Sequence, residues 1–179
     1  MILEYHRTRG DVIPPTRANP SDAGLDVFYN PEHPECVGAH LEPGESRLFS
    51  TGLKFGVPHG YMLEVKNRSG NAYKRSLLVG ACVVDSGYSG EIFVNLHNVG
   101  TKPQFVERGT KVAQIVMIPV VHFRALESKS DNLYDWYPIT MSQRGDSSLG
   151  STDKKVPDLS TKDIDPFNLP KPWELGDPT

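Results

Sequence analysis

Residues 79–98, VGACVVDSGYSGEIFVNLHN, decide how the chain is read. An apolar run (Val79, Ala81, Cys82, Val83, Val84) reaches Asp85, turns through Ser86-Gly87-Tyr88-Ser89-Gly90 and resumes as Ile92, Val94 and Leu96. Period-two alternation on the return arm, with glycines between two β-rich runs, predicts a β-hairpin. Asp85 then stands at the mouth of an apolar strand. Desolvation raises the pKa of a carboxylate and a neighbouring cation lowers it, so this position suits a general base. Aspartate also caps turns well, and this stretch alone leaves both roles open.

Upstream, residues 22–27 read Asp-Ala-Gly-Leu-Asp-Val. Ala23-Gly24 lets the backbone approach a neighbour closely, and Asp26 is expected on a strand, opposite in direction to Leu25 and Val27. A short strand is expected over residues 2–5. Further strands over 46–54 and 61–66 are bounded by the turns Pro43-Gly44 and Pro58-His59-Gly60. Arg68-Ser69-Gly70 brings together a guanidinium, a hydroxyl and backbone N–H groups. That set suits phosphate oxygens, or it is an ordinary turn with an exposed arginine. Residues 71–76 are the best place for a short helix. Residues 30–40, NPEHPECVGAH, read as a proline-rich surface insertion whose histidines and cysteine fit no standard zinc spacing.

Downstream, residues 103–106 and 112–121 are expected as strands. Gln114 interrupts the second, VAQIVMIPVV. A buried unpaired amide costs about 1–3 kcal/mol, so Gln114 must find a ligand, a water network or a partner on a neighbouring strand. Residues 123–143 are polar and aromatic and are expected to cover the body. Residues 144–152, RGDSSLGST, offer one arginine with glycines and hydroxyls. They form either an arm that wraps an anion or a plain linker. Residues 154–179 are rich in Pro, Asp and Lys and are expected as a mostly disordered tail.

Composition narrows the classes. The chain has 179 residues and a formal net charge of −3, which suits one domain with appendages and gives no basic footprint for nucleic acid. Its two cysteines, Cys36 and Cys82, make no metal pattern. A bridge between them is one option; a reduced, intracellular chain is the expected one. The start, MILEYHRTRGD, lacks the layout of a signal peptide, and no apolar run approaches a membrane span. A soluble, cytoplasmic protein is expected. Short strands, frequent Gly/Pro turns and little amphipathic helical pattern define an all-β sandwich or barrel.

The order of the motifs then becomes decisive. AGLD (23–26), RSG (68–70), VGACVVDSGYSGEI (79–92), GTKVAQIV (109–116) and RGDSSLGST (144–152) follow one another along the chain. This series resembles the five motifs of the trimeric deoxyuridine triphosphate nucleotidohydrolases, the dUTPases. The resemblance covers residues 1–153. It implies a β-jelly-roll (β-clip) body over 1–143, a flexible substrate-closing arm over 144–153, and a tail over 154–179 that the resemblance does not reach. It implies a homotrimer that hydrolyses dUTP to dUMP and pyrophosphate, with active sites shared between subunits.

By the same resemblance, Asp85 is the general base that activates water against the α-phosphorus. Tyr88 packs on the deoxyribose and leaves no room for a 2′-hydroxyl. The backbone from Cys82 through Val83 and Val84 to Asp85 reads the uracil edge. Arg68, Ser69 and Gly70 hold phosphates from another subunit, and Gln114 and Asp26 order the water network. Arg144 with Leu149, Gly150, Ser151 and Thr152 closes over the base and the γ-phosphate. Mg²⁺ arrives chelated by the triphosphate and is reached largely through waters, so no residue is named as a direct ligand.

The sequence also departs from that pattern. Cys82 stands where a glycine is usual, Gly87 where an acidic residue precedes the tyrosine, and Ser89 where a basic or amide residue follows it. Asp146-Ser147-Ser148 replaces a glycine-rich run, and Leu149 replaces an aromatic that stacks on the base. Losing that ring forfeits about 1 kcal/mol or more of stacking. These departures bear on substrate identity. Alternatives are a dCTP-deaminase-like or modified-pyrimidine nucleotide enzyme, and a catalytically weak relative that binds a protein partner through its tail and long loops.

Overall fold

Alternation builds most of the strands. A computed structural model describes residues 1–131 and Leu133. In chain order the elements are β1 (Glu4–Arg7), β2 (Leu25–Phe28), β3 (Gly38–Leu41), β4 (Ser46–Ser50), β5 (Leu53–Gly56), β6 (Tyr61–Lys66), the helix α1 (Ser69–Arg75), β7 (Leu77–Val79), β8 (Val83–Val84), β9 (Phe93–Asn98), β10 (Gln104–Glu107) and β11 (Lys111–Pro119). In β6 the side chains of Leu63 and Val65 go inward, and in β9 those of Val94, Leu96 and Asn98 do the same. That is the period of a sheet with one face on a core.

Two larger antiparallel sheets sandwich this core. One runs β2-β11-β6-β8 and the other β4-β9-β7, with the pairs β1-β5 and β10-β3 beside them. Leu63, Val65, Ala113 and Ile115 from the first sheet share a single apolar cluster with Phe49, Val94 and Leu96 from the second. Each large side chain buried this way contributes roughly 1.5–3 kcal/mol. Tyr29 meets Phe49 edge to face at 4.9 Å between ring centres, and burial pushes its hydroxyl up to about 12. The chain divides into two units, Met1–Arg124 and Ala125–Thr179. All the described strands lie in the first. Residues 123–131 carry no helix or strand, and Phe123 and Leu126 are exposed. The rest of 123–143, the arm at 144–153 and the tail at 154–179 lie outside the described residues, apart from Leu133.

Several expectations need correction. The run 79–84 does not pair along its length with 92–96. Only β7 pairs with β9, through Leu77↔Asn98, Leu78↔His97 and Val79↔Leu96. The chain then leaves that ladder, and β8 crosses to the other sheet, where Leu63 opposes Val84 and Glu64 opposes Val83. The expected hairpin is therefore a wide loop whose middle is pinned to β6. The strand expected over 46–54 is broken at Thr51-Gly52, with Gly52 at φ +66 turning the chain and the Thr51 hydroxyl donating to the Ile92 carbonyl at 2.5 Å. The first strand begins two residues later than expected, at Glu4, and α1 begins two residues earlier, at Ser69. Residues 30–40 are not wholly a surface insertion. Asn30 is buried and its amide donates to the carbonyls of Ile13, Phe28 and Thr51, while residues 38–41 form β3. Both cysteines are free thiols.

Candidate active site

The loop between β7 and β9 builds one cleft of about 230 Å³, lined by Val83, Val84, Asp85, Tyr88, Glu91, Ile92 and Phe93. Asp85 begins a tight turn. Its carbonyl accepts from the Tyr88 N–H at 3.3 Å, and Gly87 sits at φ +86, the left-handed third position of a type II turn. The backbone closes this turn. The Asp85 carboxylate makes no hydrogen bond or ion pair among the described residues, so it is not spent as a cap. It is also exposed in the single chain rather than sheltered by the apolar strand that precedes it.

The returning arm is nailed to the body. One carboxylate oxygen of Glu91 accepts from the Ser50 hydroxyl at 2.5 Å and from the Gly52 N–H at 2.8 Å. The N–H of Ile92 donates to the Leu53 carbonyl at 2.9 Å. Tyr88 folds back so that its hydroxyl donates to the Glu91 carbonyl at 3.0 Å. Cys82 lies outside this cleft, and its carbonyl already accepts from Val65 N–H at 2.7 Å.

A second, polar cleft of about 270 Å³ gathers Ala18, Asp22, Ala23, Gly24, Asp26, Arg68, Ser69 and Gln114. Register explains how. Gln114 on β11 opposes Asp26 on β2 and Lys66 on β6, and Arg68 follows within two residues of the end of β6. Gly24 does what its missing side chain permits. A β-carbon there would stand 2.7 Å from Gln114 Oε1 and 3.2 Å from the Ile115 carbonyl. The Gln114 amide donates to the Asn67 carbonyl at 3.0 Å, the neighbouring-strand solution to its hydrogen-bonding need. Asp26 is buried, with Arg68 Nε 2.9 Å from Oδ1 and Lys111 Nζ 2.7 Å from Oδ2. Gly70 lies in the first turn of α1, outside the lining residues. Around Asp22, the Arg17 guanidinium bonds the Asp22 carbonyl and Asn19 N–H donates to the Asp22 carboxylate at 2.8 Å.

The two clefts share no lining residue. Sequence reading missed Glu91 and Lys111. The signal for Lys111 was the pair Val112-Ala113, two adjacent apolar residues that break strict alternation beside a charge.

The all-β sandwich thus sets a carboxylate and a tyrosine in one cleft and a guanidinium, a hydroxyl and an amide in another. The dUTPase family model matches residues 11–152, and the chain belongs to the dUTPase family. The deoxyuridine 5′-triphosphate nucleotidohydrolase of Gloeobacter violaceus is 37% identical over 140 residues, 77% of this chain and 87% of that protein. The enzyme of the same name from Hydrogenobaculum sp. is 33% identical over 159 residues, 87% of this chain and all of that one. Among solved structures, the dUTPase of Staphylococcus bacteriophage 80alpha with dUpNHpp aligns with a TM-score of 0.70 at 22% identity, over 84% of this chain and 97% of that one. A mutant dUTPase of phage phi11 of S. aureus, described with a structural Mg(II) ion, aligns at 0.65 and 21%, over 74% and 99%. The expected jelly-roll fold is thus shared. No helix among the described residues is long and apolar enough to cross a membrane.

Proposed function

We propose that this chain hydrolyses dUTP to dUMP and pyrophosphate. The observation that carries the reading is the polar cleft, where Asp26, Arg68, Ser69 and Gln114, from three separate motifs, meet around one space. Asp85 takes a proton from water, whose oxygen attacks the α-phosphorus as the bond to the bridging oxygen breaks and pyrophosphate leaves. The unpartnered Asp85 carboxylate suits that role. Tyr88 packs on the deoxyribose beside it, with Val83 and Val84 on the base. Arg68 and Ser69 hold phosphate oxygens, and Gln114 with Asp26 orders water around them. Mg²⁺ bound together with the triphosphate would supply charge neutralisation there. Both oxygens of Asp26 already face cations, which suits a metal reached through waters better than direct ligation.

The base-binding and phosphate-binding halves occupy different clefts of one chain. That supports a site assembled from several copies, a homotrimer in which one subunit offers Asp85 and Tyr88 and another offers Arg68. Arg144, Leu149, Gly150, Ser151 and Thr152 then close over the triphosphate as a lid. The test is product analysis by chromatography with dUTP, dCTP and UTP in Mg²⁺. The expected result is dUMP and pyrophosphate from dUTP alone, with Asp85→Asn folded and slower by about 10² or more. A deaminated product, or parental turnover by Asp85→Asn, overturns the reading.

A further inference from the structure

Lys111 is not among the residues lining the polar cleft, yet its ammonium holds one oxygen of the Asp26 carboxylate, which does line it. A β-bulge puts it there. β11 pairs with β2 as Gln114↔Asp26 and Ala113↔Val27, then skips so that Lys111, not Val112, opposes Phe28. Val112 and Ala113, adjacent in sequence, are both buried, at 1% and 0% exposure. A regular strand would send one of them outward. The bulge absorbs the extra residue and keeps Lys111 on the face shared by Asp26 and Gln114. The Asn71 amide then donates to the carbonyls of Lys111 and Val112, at 3.0 and 3.2 Å, where the ladder is interrupted.

Carboxylates and guanidinium groups favour a two-pronged fork that uses both oxygens and two nitrogens. At Asp26 the second oxygen is taken by Lys111, and Arg68 meets the first through Nε. The terminal nitrogens of Arg68 make no hydrogen bond among the described residues. We propose that Lys111 is a positioning residue: by occupying Oδ2 of Asp26 it prevents a closed fork with Arg68 and leaves the terminal nitrogens of Arg68 to a substrate phosphate. The inference rests on the reading of this cleft as the phosphate site.

The test compares Lys111→Met, Lys111→Arg and, as a control for loss of one nearby positive charge, Lys66→Met. Lys66 pairs with Glu64 on the strand beside Gln114. Two quantities are read: dissociation constants for inorganic pyrophosphate by calorimetry, and KM and kcat for dUTP. Lys111→Met should stay folded, bind pyrophosphate roughly tenfold or more weakly and raise KM by a similar factor with kcat changed less, the scale of one lost hydrogen bond to a charged group. Lys111→Arg should restore both, and Lys66→Met should change either by less than about twofold. If folded Lys111→Met binds pyrophosphate like the parent, or Lys66→Met weakens it equally, the proposal is wrong. A parent that binds pyrophosphate but does not turn over dUTP would instead sink the assigned reaction and leave the clamp standing.

Discussion

The ring of Tyr88 lies across Gly90: a β-carbon on Gly90 would stand 2.4 Å from the tyrosine hydroxyl oxygen and 2.6 Å from the ring carbon that bears it. The same hydroxyl donates to the Glu91 carbonyl at 3.0 Å, so the aromatic is held against the returning arm of its own loop. Glu91 in turn anchors that arm to Ser50 and Gly52. The tyrosine's position thus depends on a missing side chain two residues away and on a carboxylate that bonds the body rather than any substrate.

Gly90→Ala tests this chain of dependence. The colliding atoms belong to the outer end of a side chain, so the ring should swing aside while the backbone stays. The fold should survive with a small change in melting temperature. If Tyr88 packs on the sugar, kcat/KM for dUTP should fall on the order of tenfold to a hundredfold, the cost of an ångström-scale misplacement. Discrimination against UTP should fall with it. Steady-state kinetics with both nucleotides checks the outcome, and parental discrimination in a folded variant would show that the ring position does not matter.

How much of this was legible beforehand depends on how local each cause is. Tyr61–Lys66 is legible to the residue because a Pro-His-Gly turn opens it and Arg68-Ser69-Gly70 follows it. Ala23-Gly24 marks a point of close approach in the sequence, and the group that approaches Gly24 is Gln114. What failed was pairing across distance. Nothing in VGACVV says that Val83 and Val84 leave β9 for β6, because the reason lies in Leu63 and Glu64. The break at Thr51 depends on a carbonyl at Ile92, and the burial of Asn30 depends on carbonyls at Ile13 and Thr51. In the site, Asp26, Arg68, Ser69 and Gln114 share one cleft while Asp85 and Tyr88 line another, and the cation on Asp26 is legible only from the bulge.

Helix α1 ends on an unusual residue. Ser76 caps it at φ 53 and ψ 35, a left-handed conformation that disfavours a β-carbon, and the side-chain hydroxyl makes no hydrogen bond among the described residues. Glycine is the common choice at such a helix end. Ser76→Gly should relieve the strain without losing a side-chain hydrogen bond. Set against the greater freedom of glycine in the unfolded chain, the net gain should be about 0.5–1 kcal/mol. Thermal unfolding should move up by a few degrees. A melting temperature that stays or falls would mean the cap is not strained in solution.

Acid should weaken one particular junction. Asp11 receives Arg108 Nη2 at 2.6 Å and lies 3.5 Å from Arg9 Nε, while Arg108 also donates to the Pro34 carbonyl at 2.7 Å. The network ties the N-terminal segment to the loop after β2. The hydrogen bond from Arg108 holds the Asp11 carboxyl below its ordinary value of 3.8. A carboxylate lowered on folding stabilises the native state above its unfolded value, and that contribution fades as pH falls through the folded one. The pair is solvent-exposed, so the effect should be small and should shrink in high salt. Asp11→Asn should therefore melt slightly below the parent at pH 7, and the two curves should converge as the pH is taken well below 3.8. Melting temperatures of both proteins across that range decide the point: a gap that is absent at neutral pH, or that widens in acid, would show that the Asp11–Arg108 pair does not hold this junction.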